Sequence, residues 1–116
     1  MDSQLWMPGV FSYPAAGSGY LMQRFGYITQ PDQIWGVDYR EGYGWMITHL
    51  PSGRTPTEPL ADFISAQSWV KTASAYANWQ QLTLNCLMSP EQRRAAERAD
   101  RQLQIASAAS PPNTSS

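Results

Sequence analysis

Between Tyr20 and Leu50 apolar and polar side chains trade places in short runs. Tyr20 to Thr29, Ile34 to Arg40 and Trp45 to Leu50 are rich in Tyr, Ile, Val, Trp and Thr. Parted by the turn residues Gln30-Pro31-Asp32 and Glu41-Gly42-Tyr43-Gly44, these runs read as strands of an antiparallel meander. Register follows from the same pattern, because a slip of one residue would turn the apolar set into water. Trp35, Val37 and Tyr39 share one face, leaving Gly36, Asp38 and Arg40 on the other. Trp45 and Ile47 oppose Tyr39 and Val37 only across an odd number of loop residues, so a three- or five-residue loop is expected here.

Beyond Leu50, Pro51-Ser52-Gly53-Arg54 has the chemistry of a tight turn, with Pro presetting φ and Gly accepting a positive one. A short fourth strand or loop then reaches Pro59. From Leu60 to about Leu87 there is neither Pro nor Gly, and Leu60, Phe63, Ile64, Val70, Ala73, Tyr76 and Ala77 recur at helical spacing. This predicts a long amphipathic helix lying on the sheet. Ser89-Pro90-Glu91-Gln92 signals a fresh start, with Ser as N-cap, Pro in the first turn and Gln closing a capping box. A second helix should run from Pro90 to about Ile105, with Glu97 and Arg101 paired one turn apart. Its stripe of Ala95, Ala96, Ala99 and Leu103 is thin, which suggests weak docking or protrusion.

Before the meander, Pro8, Gly9, Pro14, Gly17 and Gly19 interrupt residues 1–19 too often for a regular element, while Trp6, Phe11 and Tyr13 are too apolar for a free tail. The expectation is an irregular packed arm. Ser107 to Ser116 is small, polar and proline-containing, and reads as a disordered tail. The fold class is α+β: a single domain over residues 1–106, built as a three- to four-stranded antiparallel meander packed against a long C-terminal helix, then a second helix.

A length of 116 residues suits one core. Charged residues are only 15% of the chain, and 8 basic against 9 acidic side chains give a net charge of −1, so no strong field points to phosphate or to a basic partner. The lone Cys86 excludes an internal disulfide and a thiolate zinc cluster, and suits a reducing compartment. Met1 to Trp6 lacks a basic-then-apolar leader, and the uncharged stretch Thr72 to Pro90 carries Asn78, Gln80, Gln81 and Asn85, whose amides are costly in hydrocarbon. A cytoplasmic protein is expected.

Little in the chain has the spacing of a reactive site. His49 is the only histidine; its neighbour Thr48 points to the opposite strand face, and the register puts His49 near Trp35 as a partly buried strand-end residue. One His and one distant Cys do not make a metal site, and no cofactor motif is present: Gly17-Ser18-Gly19 precedes a strand instead of opening a helix. Cys86, among apolar neighbours without a basic group, reads as an inert packed thiol. Asp32, Asp38, Glu41, Glu58 and Asp62 are scattered surface carboxylates. No catalytic residue is assigned, and a non-enzyme is expected.

Two binding readings remain. Arg93, Arg94, Arg98 and Arg101 fall on one helix and could meet nucleic acid, but Glu91, Glu97 and Asp100 interleave them, so a salt-bridged solvent face is the plainer reading. The aromatic content is the stronger signal: five Trp, six Tyr and three Phe. Core packing absorbs Trp35, Trp45, Phe63 and Trp69, whereas Trp6, Phe11, Tyr13 and the loop residue Tyr43 are harder to bury and, with Arg54, are of the types that anchor protein interfaces.

The stretch Gly44-Trp45-Met46-Ile47-Thr48-His49-Leu50-Pro51-Ser52-Gly53-Arg54, followed by a helix, resembles a hairpin of small accessory proteins of phages and mobile elements, anti-CRISPR proteins among them. The resemblance implies a host-interaction context and no defined activity; with the missing reactive site and the surplus aromatics, the expectation is a non-enzymatic inhibitor that occludes a host protein or ribonucleoprotein complex. It supplies no site residues. A homodimer, through the long helix or an exposed sheet edge, is compatible with every reading.

Overall fold

The structure, a computed structural model, describes residues 5–15, 20–84 and 86–109. Strands β1 (Leu5–Pro14), β2 (Leu21–Gln30), β3 (Trp35–Arg40) and β4 (Gly44–His49) form one antiparallel sheet in the order β1-β2-β3-β4, followed by helices α1 (Phe63–Tyr76) and α2 (Pro90–Ala109). The fold is thus α+β, as the pattern of runs implies.

The β3–β4 hairpin follows the parity argument. Its loop is Glu41-Gly42-Tyr43, and Val37 pairs with Ile47 and Tyr39 with Trp45. The Pro51–Arg54 turn closes as its chemistry requires: Gly53, at φ 75°, donates from its amide to the His49 carbonyl at 2.7 Å. The chain then returns along the free side of β4, where Arg54 and Leu60 bond its backbone at His49 and Trp45. That edge is covered.

The fourth strand lies elsewhere than expected. The described part of the expected irregular arm is regular: Leu5–Pro14 is a ten-residue strand paired throughout with β2. Its prolines fit because of their parity. Ala15 donates to the Tyr20 carbonyl in continuation of the ladder, so odd-numbered residues of β1 turn their backbone toward β2. Pro8 and Pro14 therefore place their missing N–H on the outer edge, the position a sheet tolerates.

The predicted helix over residues 60–87 is shorter. Asp62 caps α1 by accepting from the Ser65 amide at 2.7 Å, and the helix stops at Tyr76, where Ala77 is extended. The cause is Trp79. Its ring is buried against Trp35, with centroids 5.0 Å apart, and its Nε1 donates to the Ala73 carbonyl at 2.9 Å. A straight helix could not bring that side chain back into the core beneath its own last turn, so burial of a large aromatic outweighs continued helix propensity.

The capping box before α2 forms in both directions: the Gln92 amide donates to Ser89 Oγ at 3.0 Å and the Ser89 amide to Gln92 Oε1 at 2.8 Å. The helix nonetheless packs instead of protruding. Ala95, Ala96 and Ala99 are buried, because small side chains let α2 come close to α1. Residues 107–109 are helical, where a tail was expected; the remainder of that tail, and residues 1–4 and 16–19 of the arm, lie outside the described residues. The core joins Trp35, Val37 and Ile47 of the sheet to Trp69, Val70 and Ala73 of α1, with Trp79, Leu82 and the α2 alanines.

Candidate docking face

Alternation along β1 and β2 sorts the long hairpin into two faces. On the front, the side that α1 covers, lie Trp6, Pro8, Val10 and Ser12, paired with Thr29, Tyr27, Phe25 and Gln23. Phe63 at the start of α1 closes over one end: its ring is 4.5 Å from Tyr27, 5.4 Å from Trp45 and 5.7 Å from Trp6. Past Phe63 the helix leads away from the hairpin. Val10 (60% exposed), Phe25 (70%) and Leu21 (71%) are left uncovered on a hairpin face without a charged residue.

The back face is packed around Phe11 and Tyr13, whereas Leu5, Met7 and Met22 stay exposed on it. Phe11 lies over Gly36, where a Cβ would meet its ring at 2.9 Å, and Tyr13 accepts a hydrogen bond from Arg40 at 3.2 Å. Arg40 also donates to both oxygens of the buried Asp38, at 2.9 and 3.3 Å. Burial is the largest single influence and pulls the Arg40 pKa down, but the hydrogen bonds and charge interactions with Asp38 and Tyr13 together outweigh it and the net shift is upward. The group is a charged clasp beneath the hairpin.

The five sequence-derived contact residues do not converge. Phe11 and Tyr13 are spent on the back-face packing, so neither presents a ring to a partner. Trp6 is half-buried against Phe63, and Arg54 is half-buried and donates to the Cys86 carbonyl. Tyr43 alone is well exposed, at 76%. Val10, Leu21 and Phe25 were missed; their signal, alternation through both strands of a hairpin, is masked in β1 by Pro8 and Gly9.

Arg93, Arg94, Arg98 and Arg101 are exposed on α2. Arg98 stacks on Tyr76, 4.0 Å from the ring centroid, and Arg93 donates to the Met88 carbonyl. Asp100 does not interleave them at the surface. It turns inward and accepts from Trp69 Nε1 at 2.8 Å and Thr57 Oγ1 at 2.6 Å. Beside it, an open groove of about 750 Å3 runs between residues 55–60 and α2, floored by Met46, Leu60 and Leu103.

His49 pairs with Trp35 across the strands, as the register requires, and is fully buried, not partly so. Its Nε2 lies 2.7 Å from the Trp79 carbonyl, which can only accept, so Nε2 carries the proton and Nδ1 accepts from Ser52 Oγ at 2.8 Å. Ser52 Oγ in turn accepts the Arg54 amide at 3.2 Å. The serine–histidine pair thus ties the turn to the segment after α1. Cys86 is exposed, not packed; its thiol pKa is lowered by the side-chain hydrogen bond with Thr83.

No known family model, curated protein or solved structure matches this chain. Among the described residues, no helix is long and apolar enough to cross a membrane.

Proposed function

We propose that the chain is a non-enzymatic interaction protein that docks on a host protein complex through the front of the β1–β2 hairpin, acting as an inhibitor or modulator. The observation that carries this reading is the uncovered Val10–Phe25 pair with Leu21 on a charge-free face. Apolar side chains gathered on one element, on a surface low in charge, are what an interface core uses. The blunted β1 edge favours docking on the face over strand addition, since two of its outward donors are lost to proline. The hairpin resemblance to anti-CRISPR and other phage accessory proteins supports a host complex as partner, and the unpaired cysteine supports a cytoplasmic setting.

The test is an affinity pull-down from host lysate, with and without nuclease, comparing the native chain with Phe25→Asp. The expected result is a stoichiometric, nuclease-resistant partner that Phe25→Asp loses and Arg94→Ala keeps. A partner held equally by Phe25→Asp removes the hairpin from the reading; no partner at all removes the reading itself.

The inward turn of Asp100 favours one second reading, because only Glu91 and Glu97 then oppose the four arginines at the surface of α2. On that reading α2 contacts nucleic acid. Its mark is binding that weakens steeply with salt and with Arg94→Ala.

A further inference from the structure

His49 is a titratable side chain placed between the sheet and the segment of residues 77–84 and 86–89, which has no regular secondary structure. That segment is held at a few points. Trp79 fills the core and its carbonyl accepts from both His49 Nε2 and the Leu82 amide; Asn78 O accepts from Gln92, and Cys86 O from Arg54. The histidine is thus the sheet's own hydrogen bond to the segment.

We propose that His49 is a proton-operated latch: charging its ring frees residues 77–84 and 86–89 from the sheet while β3 and β4 stay paired. A proton arriving at Nδ1 displaces the Ser52 hydroxyl hydrogen, and Ser52 Oγ already accepts the Arg54 amide, so the hydroxyl must find a new acceptor. Among the described residues no carboxylate faces the charge; the Trp79 carbonyl favours it, and burial outweighs that carbonyl. β3 presents Trp35 to the ring, the segment presents Trp79, α1 presents Trp69 behind them, and the turn presents Ser52 and Arg54. Of these only Arg54 is charged, and it is a like charge.

Burial, aided by Arg54, accordingly outweighs the Trp79 carbonyl and holds the ring below its ordinary pKa of 6.5. The sign follows: the latched form binds fewer protons than the open one, so latching is fully present above pH 6.5 and is lost as pH falls from there toward the folded value. The device stands whether or not the hairpin binds a host partner.

Hydrogen exchange on the full chain between about pH 7.5 and 5, corrected for intrinsic rates, reads it directly. Below pH 6.5 the opening of the Leu82 and Cys86 amides should rise by up to about tenfold per pH unit, while the amides paired between β3 and β4 hold. His49→Gln, able to donate to the Trp79 carbonyl without titrating, should flatten the profile. Ser52→Ala removes the donor that satisfies neutral Nδ1 and should move the onset to higher pH. Opening of residues 82 and 86 that is flat with pH, or that keeps step with β3–β4, overturns the proposal. Should His49→Gln fail to fold, the native and Ser52→Ala profiles decide it.

Discussion

Replacing Asp100 by Ala tests how α2 is held. One carboxylate oxygen accepts from the indole of Trp69, which is fully buried, and from the half-buried Thr57 hydroxyl. Truncation leaves the indole N–H without its acceptor, at about 1–3 kcal/mol, and Thr57 adds about 0.5–1 kcal/mol because water can replace part of its bond. The loss expected is about 2–3 kcal/mol. With a urea slope of about 1–3 kcal/mol per M, the unfolding midpoint followed by tryptophan emission should fall by roughly 1–2 M. Asp100→Asn keeps an acceptor at the same place and should cost less than about 1 kcal/mol. Trp69→Phe removes the donor while keeping an aromatic ring, so in that background Asp100→Ala should lose at least about 1 kcal/mol of its effect. An unchanged cost in the double variant would refute the argument that the indole bond carries the docking.

Three further outcomes follow from local geometry. Gly42 and Gly53 both have positive φ, yet a Cβ at Gly42 meets nothing within 4 Å while one at Gly53 would lie 2.0 Å from the Pro14 carbonyl; chemical denaturation should show about 1 kcal/mol lost for Gly42→Ala and about 3 kcal/mol or more for Gly53→Ala. Asp38→Ala leaves Arg40 unpaired beneath the hairpin and should cost about 3–5 kcal/mol, seen as a thermal midpoint lower by more than about 10 °C. Asp62→Ala removes the α1 cap and should cost about 0.5–2 kcal/mol at neutral pH. The Ser65 amide lowers the Asp62 pKa from 3.8, so this contribution is present above that value, and the two proteins should converge in stability as pH falls below it.

Where neighbours in sequence are also partners in space, residue types sufficed. The odd loop between β3 and β4, the Trp35–His49 pairing, the Pro51–Arg54 turn and the Ser89–Gln92 capping box all rest on contacts within a few residues or on strict alternation, and each could be written down from the chain. Long-range packing decided the rest. Pro8 and Pro14 read as breakers until β2 supplies a ladder whose parity puts both on the outer edge. The α1 pattern runs on past Tyr76, and only the space beside Trp35 and His49 requires Trp79 to leave the helix. Asp100 counts as a surface acid until α1 brings the Trp69 indole to it. The docking face is likewise a matter of what α1 fails to cover: Phe25 is no more apolar than Phe11, but Phe11 meets Gly36 across the sheet and Phe25 meets solvent.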